Sequence, residues 1–240
     1  MSFVLIGVVV VACFAGAVFQ RLAGIGFSVV ATPALALISG PRIGVALTNL
    51  LAVVVAVVVF AASGRRVDPT RTRIMILAGL IGVLPGSVLF RVLSPGPLQV
   101  VVGAITTLGL AAVLLAPRLR AQPRPAVTGC AGLVSGFSAA AAGAGGPALT
   151  VYAVATGWSQ PEFAATGQLC YATQGAAALA IKGLPQIPVA WLGAAVAAVL
   201  GGLLAGHLAA RRINGERARR AAIAIAGLAA LATVAKGLLS

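Results

Sequence analysis

AGAVFQRLAGIGF, residues 15–27, and SGFSAAAAGAGG, residues 135–146, decide how this chain is read. Set one over the other at an offset of 119, they pair Gly16 with Ser135, Gly24 with Gly143 and Gly26 with Gly145. The same offset pairs Asn49 with Gln168 and Gly64 with Gly183. Each stretch is a glycine-rich interruption inside apolar sequence, and each runs on to a proline, Pro33 in GIGFSVVATP and Pro147 in GAGGP. Glycine lets backbones approach closely and adopt unusual dihedrals. Proline lacks a donor and suits the first turn of a new helix. A helix that restarts at such a break presents free N–H groups and a partial positive charge, which together suit an anion.

The sequence around these breaks is that of a membrane protein. Of the 240 residues, 60% are hydrophobic and 8% charged, with a mean hydropathy of +1.10. Soluble domains carry roughly 25% charged residues, so the surface of this chain is too apolar to face water. Apolar runs near 3–19, 43–62, 73–92, 97–116, 125–141, 162–181, 187–209 and 219–238 have the length of a bilayer-crossing helix. Two shorter segments near 24–39 and 144–157 follow the breaks. The expectation is an all-α, polytopic transmembrane bundle of about eight spans plus two broken or re-entrant segments. The N-terminal run lacks a basic leader and reads as a retained helix.

Charge sets the orientation. Arg65, Arg66, Arg71 and Arg73 form one basic cluster, Arg118, Arg120 and Arg124 a second, and Arg211, Arg212, Arg217, Arg219 and Arg220 a third. Placed together in the cytoplasm by the positive-inside rule, they leave the loops near Arg91 and Lys182 outside. The run 43–62 then ends inside while its mate 162–181 ends outside. The halves, residues 1–120 and 121–240, form an inverted repeat, the arrangement in which transporters place substrate between two broken segments. The formal charge of +14 is accounted for by these loops rather than by a nucleic-acid-binding face.

Polar residues beside the breaks complete a candidate anion site. Arg21, with Gln20 before it, sits in apolar sequence with no acid in any apolar run to pair with it. An intramembrane arginine is a functional candidate, and its fork grips oxyanions at two points; snorkelling to an interface is the competing reading. The site residues expected from sequence are Gln20, Arg21, Gly24, Gly26, Asn49, Gly143, Gly145, Gly146, Gln168 and Tyr171. Gln168, Tyr171 and Gln174 fall on roughly one helical face. Ser159-Gln160-Pro161-Glu162 has the pattern of a capping box. The cysteines, Cys13, Cys130 and Cys170, read as small buried hydrophobes, and His207 reads as interfacial. One histidine, no buried acid and no metal-binding or nucleophile motif argue against an enzyme, and no cofactor is expected.

On these residues the chain resembles the sulfite exporter TauE/SafE family of membrane permeases, over essentially its whole length. The second copy, Gly143 to Pro147, carries the more specific match. The first has Phe27 and Ser28 where further glycines often occur, and Gln20-Arg21 has the look of a subfamily feature. The resemblance implies transport of sulfite, a sulfonate or a related sulfur-containing or organic anion across the inner membrane. The expected partners are that small anion and the lipid bilayer. A proton or sodium as coupling ion and a homo-oligomer stay open, as do a passive anion channel and a non-transporting assembly protein.

Overall fold

The computed structural model describes residues 3–23, 26–63, 67–210 and 212–239, and these contain helix and no strand. Ten α-helices follow in order: α1 (Phe3–Ala23), α2 (Phe27–Ser39), α3 (Pro41–Ala62), α4 (Pro69–Val92), α5 (Pro95–Leu115), α6 (Pro125–Ala142), α7 (Gly146–Ala155), α8 (Gln160–Lys182), α9 (Val189–Ala209) and α10 (Gly215–Leu238). Each of the eight long apolar runs is a helix, and the two short segments are the separate helices α2 and α7. Among the described residues, six helices are long and apolar enough to cross a membrane. α1 is 21 residues long. α8 has the length, 23 residues, but spends its apolarity on a polar face.

Proline starts many of these helices. Pro41, Pro69, Pro95, Pro125, Pro147 and Pro161 all stand in a first turn, where the missing N–H has no helical acceptor to lose. Asp68 caps α4 by accepting from the Arg71 amide at 2.9 Å, and Asn214 caps α10 through the amides of Glu216 and Arg217. The capping box expected at Ser159 is not formed. Ser159 precedes α8, but the Glu162 carboxylate turns to accept from the Trp158 indole at 3.2 Å.

Helices are held together through glycine. A Cβ added at Gly136 of α6 would stand 1.9 Å from the Gly79 carbonyl of α4, and one at Gly82 would stand 2.1 Å from the Leu133 carbonyl. Gly202 of α9 packs on the Phe14 carbonyl of α1, and Gly103 of α5 on the Ala230 carbonyl of α10, somewhat less tightly. Lipid gives apolar side chains no reason to prefer a neighbouring helix, so close backbone contact supplies the attraction. The pairs α4 with α6, α1 with α9, α5 with α10 and α3 with α8 form the body of the bundle.

The bundle has two ends. At one stand the starts of α4, α8 and α10, the ends of α7 and α9, and the basic loops; Arg71 lies over Trp158, and the Ala121 amide donates to Ala155. At the other stand the start of α3 and the ends of α2, α4, α8 and α10. The cysteine expectation is corrected at one position. Cys13 and Cys170 are buried, but Cys130 on α6 is exposed, in an apolar stretch that faces outward from the bundle.

Candidate functional site

The second break is built from backbone alone. Gly143 ends α6 in the left-handed conformation, φ 67° and ψ 6°, its amide donating to Ala139. Three residues later α7 begins, with Gly145 before it and Pro147 in its first turn. The first break differs. Gly26, φ 90°, precedes α2, which restarts at Phe27, so Pro33 lies inside the helix rather than in its first turn. The sequence expectation that proline marks the restart therefore holds for one break only. Gly24 lies outside the described residues, as does Gly64, its fellow in the offset pattern.

The two restarts face each other. A Cβ on Gly26 would stand 4.0 Å from the Gly146 Cα and 3.9 Å from Gln20 Oε1. Thr32 of α2 donates to the Gly143 carbonyl at 3.4 Å, linking one break to the other. The first amides of α2, on Phe27 and Ser28, and those of Gly145 and Gly146 at α7 have no intrahelical acceptor. Two positive helix ends thus point at one place.

That place is a narrow cavity of about 30 Å³. Of the ten residues expected from sequence, eight line it: Gln20, Gly26, Asn49, Gly143, Gly145, Gly146, Gln168 and Tyr171. Asn49 is 2% exposed and Gln168 5%. Asn49 Nδ2 and Gln20 Oε1 are buried without a hydrogen-bond partner among the described residues. Orphaned amides of that kind normally mark a place where a ligand or water is held. A half-turn of the Gln20 amide would present its NH₂ in place of the oxygen, adding a donor.

Arg21 stands apart from this cavity. It is exposed and lines a vestibule on the basic-loop side, together with Gln160, Phe163 and Gly167. Gln20, Gly26, Gln168 and Tyr171 line both spaces, so the vestibule leads to the cavity. Arg21 Nη2 lies 3.0 Å from His207 Nδ1. His207 is exposed, as expected of an interfacial residue, and lies beside Arg21 at the mouth, a pairing of residues 186 positions apart that no local pattern reveals.

The polar face of α8 is also redrawn. Gln168 and Tyr171 face the cavity, but the next wall residue is Gly175. Gln174 is fully buried against α4 and α6, where Ser135 Oγ donates to its Oε1 at 2.8 Å. The spacing 168, 171, 175 is a helical stripe legible in sequence, though glycine at its end carries no polar signal. Phe27, Ser28, Ala52, Val55 and Ala139 also line the cavity and were not expected from sequence.

A family model described as Sulfite exporter TauE/SafE matches residues 8–233. No curated protein and no solved structure matches the chain. The match spans nearly the whole chain, which therefore belongs to the TauE/SafE family of membrane transporters.

Proposed function

We propose, from that membership, that the chain is a multi-pass secondary transporter of the inner membrane. Its substrate is a small oxyanion such as sulfite or a sulfonate, held where α2 and α7 restart. The observation that carries this reading is the convergence of the two helix starts, with Gly26 and Gly146 almost in contact. A negative group there receives backbone N–H donors from both breaks, two helix dipoles and the spare amide of Asn49. No side-chain carboxylate lines the cavity to compete with it.

The recurrence of helix starts at the offset of 119 supports alternating access. Adding 119 to Phe27 and Pro41, where α2 and α3 start, gives residues 146 and 160, where α7 and α8 start. Under the same correspondence α1 matches α6 and α4 matches α9, so the α1–α9 contact is the counterpart of the α6–α4 contact. Asn49 and Gln168, partners at that offset, stand in one cavity. In this mechanism the halves rock about the fixed site. Arg21 recruits the anion at the vestibule, and the break amides take it up as water is shed. The positive-inside rule places the vestibule in the cytoplasm.

Uptake of radiolabelled sulfite into proteoliposomes tests this reading. Saturable uptake with counterflow is expected. Flux that stays linear far above millimolar sulfite, without counterflow, would identify a pore instead.

A further inference from the structure

Four cations stand at the end of the bundle away from the vestibule, and three of them tie the cavity's own helices together. Arg42, in the first turn of α3, donates through Nη2 to the Leu93 carbonyl at 2.9 Å and the Arg91 carbonyl at 3.3 Å, at the end of α4. Arg91 donates in turn to the Ile181 carbonyl at the end of α8. Lys182, the last residue of α8, donates to the Ala140 carbonyl near the end of α6 at 2.8 Å. Buried Phe90 sits among them, with Lys182 Nζ 4.4 Å and the Arg42 guanidinium carbon 5.9 Å from its ring centre. The chain of contacts runs α3, α4, α8, α6.

These acceptors are all neutral carbonyls. The chain has three acidic residues, Asp68, Glu162 and Glu216, and each stands near the start of α4, α8 or α10, at the other end. Carbonyls at helix ends carry partial negative charge and suit cations, but an oxyanion makes bonds about twice as strong as a neutral acceptor. Lysine has three donors and arginine five, and few of them are used here among the described residues. Lys182 lies seven residues beyond Gly175 of the cavity wall, about 10 Å along the helix. Lys182 therefore anchors to α6, at this end, the helix that carries Gln168, Tyr171 and Gly175 of the cavity wall.

We infer that Arg42, Arg91 and Lys182 around Phe90 form the far gate, and that it is operated by the transported anion. An oxyanion arriving from that side replaces the helix-end carbonyls as acceptor for Arg42 and Lys182. α8 is then released from α6 and α4, and the cavity opens ahead of the anion. The inference rests on the transport reading above for the identity of its ligand.

A thiol placed in the cavity tests it without requiring transport. Ala52→Cys would be made in a chain with Cys13, Cys130 and Cys170 replaced by serine, reconstituted in liposomes and exposed to an impermeant maleimide from the far side. Slow labelling is expected, accelerated by millimolar sulfite. Lys182→Gln and Arg42→Gln should each label about tenfold faster without sulfite, the change given by roughly 1.4 kcal/mol of lost latch, and sulfite should add little. Lys182→Arg keeps the charge and should behave as the parent, which shows that the cavity still folds. Unchanged labelling in both glutamine variants would overturn the gate. Faster labelling in those variants with no sulfite effect on the parent would overturn its operation by the anion. Sulfite-accelerated labelling in a chain that takes up no sulfite would retain the gate and remove the transport reading.

Discussion

The two breaks occupy matching places in the chain and are built by different means. The break before α7 is backbone throughout: Ala139 to Ala142 lead into Gly143, Ala144, Gly145 and Gly146, with Pro147 in the first turn. It offers an anion N–H groups and a dipole, and nothing that can rearrange. The break before α2 brings side chains. Gln20 lines the cavity, Arg21 stands at the mouth, and Ser28 sits in the first turn. On the proposed reading the two breaks make different contributions, a rigid cradle from one and an adaptable, charged approach from the other. For the proposed transporter, the side-chain break is where selectivity among anions has material to act on.

Substitution of the glycines should break this comparison most sharply. Gly145→Ala puts a Cβ 2.7 Å from the Ser135 carbonyl, where backbone cannot yield, and α7 must shift. Sulfite uptake should fall by roughly 100-fold or more, as expected when a site moves by about 1 Å. Gly26→Ala meets only ordinary contacts of 3.7–4.0 Å, but at φ 90°. That strain costs about 1–2 kcal/mol, so uptake at low sulfite should fall about tenfold while expression persists. Equal losses at both positions would erase the distinction between a crowded break and a strained one.

Side chains should give smaller, graded effects. Asn49→Leu removes the unpartnered donor from the cavity, and a lost hydrogen bond to a charged group is worth about 1.5–3 kcal/mol. The KM for sulfite should rise by roughly 10-fold to 100-fold. Arg21→Ala removes charge from the exposed vestibule, where an interaction is worth at most about 1 kcal/mol and is screened by salt. Its KM should rise by about fivefold in dilute buffer and approach the parent's in high salt, with maximal flux unchanged. A loss of maximal flux would move Arg21 from the mouth into the cavity. His207→Ala should be the mildest, following Arg21→Ala in direction but not exceeding it.

Much of this was legible in the sequence because it depends on local chemistry. Apolar runs gave the helices, and the repeated Gly-x-Gly pattern located both breaks and most of the cavity. What the sequence concealed was relational. Pro33 suggested a restart six residues beyond the real one, which follows Gly26 at Phe27. Sequence spacing groups Gln174 with Gln168, but six residues carry it about 120° around the helix, where it meets Ser135 of α6 and Gly79 of α4. The Arg21–His207 contact and the Phe90 cluster join residues far apart in the chain. Cys130 looked buried because apolar sequence in a membrane protein faces lipid as readily as protein.

The central claim is that an anion sits between the two helix starts, and calorimetric titration of sulfite into the purified protein tests it directly. The parent should bind sulfite saturably at one site per chain, and Asn49→Leu should bind it at least about tenfold more weakly, given the hydrogen bond removed. Equal affinity in the two proteins, or saturable binding that survives Gly145→Ala unchanged, would contradict the placement of the anion at the breaks.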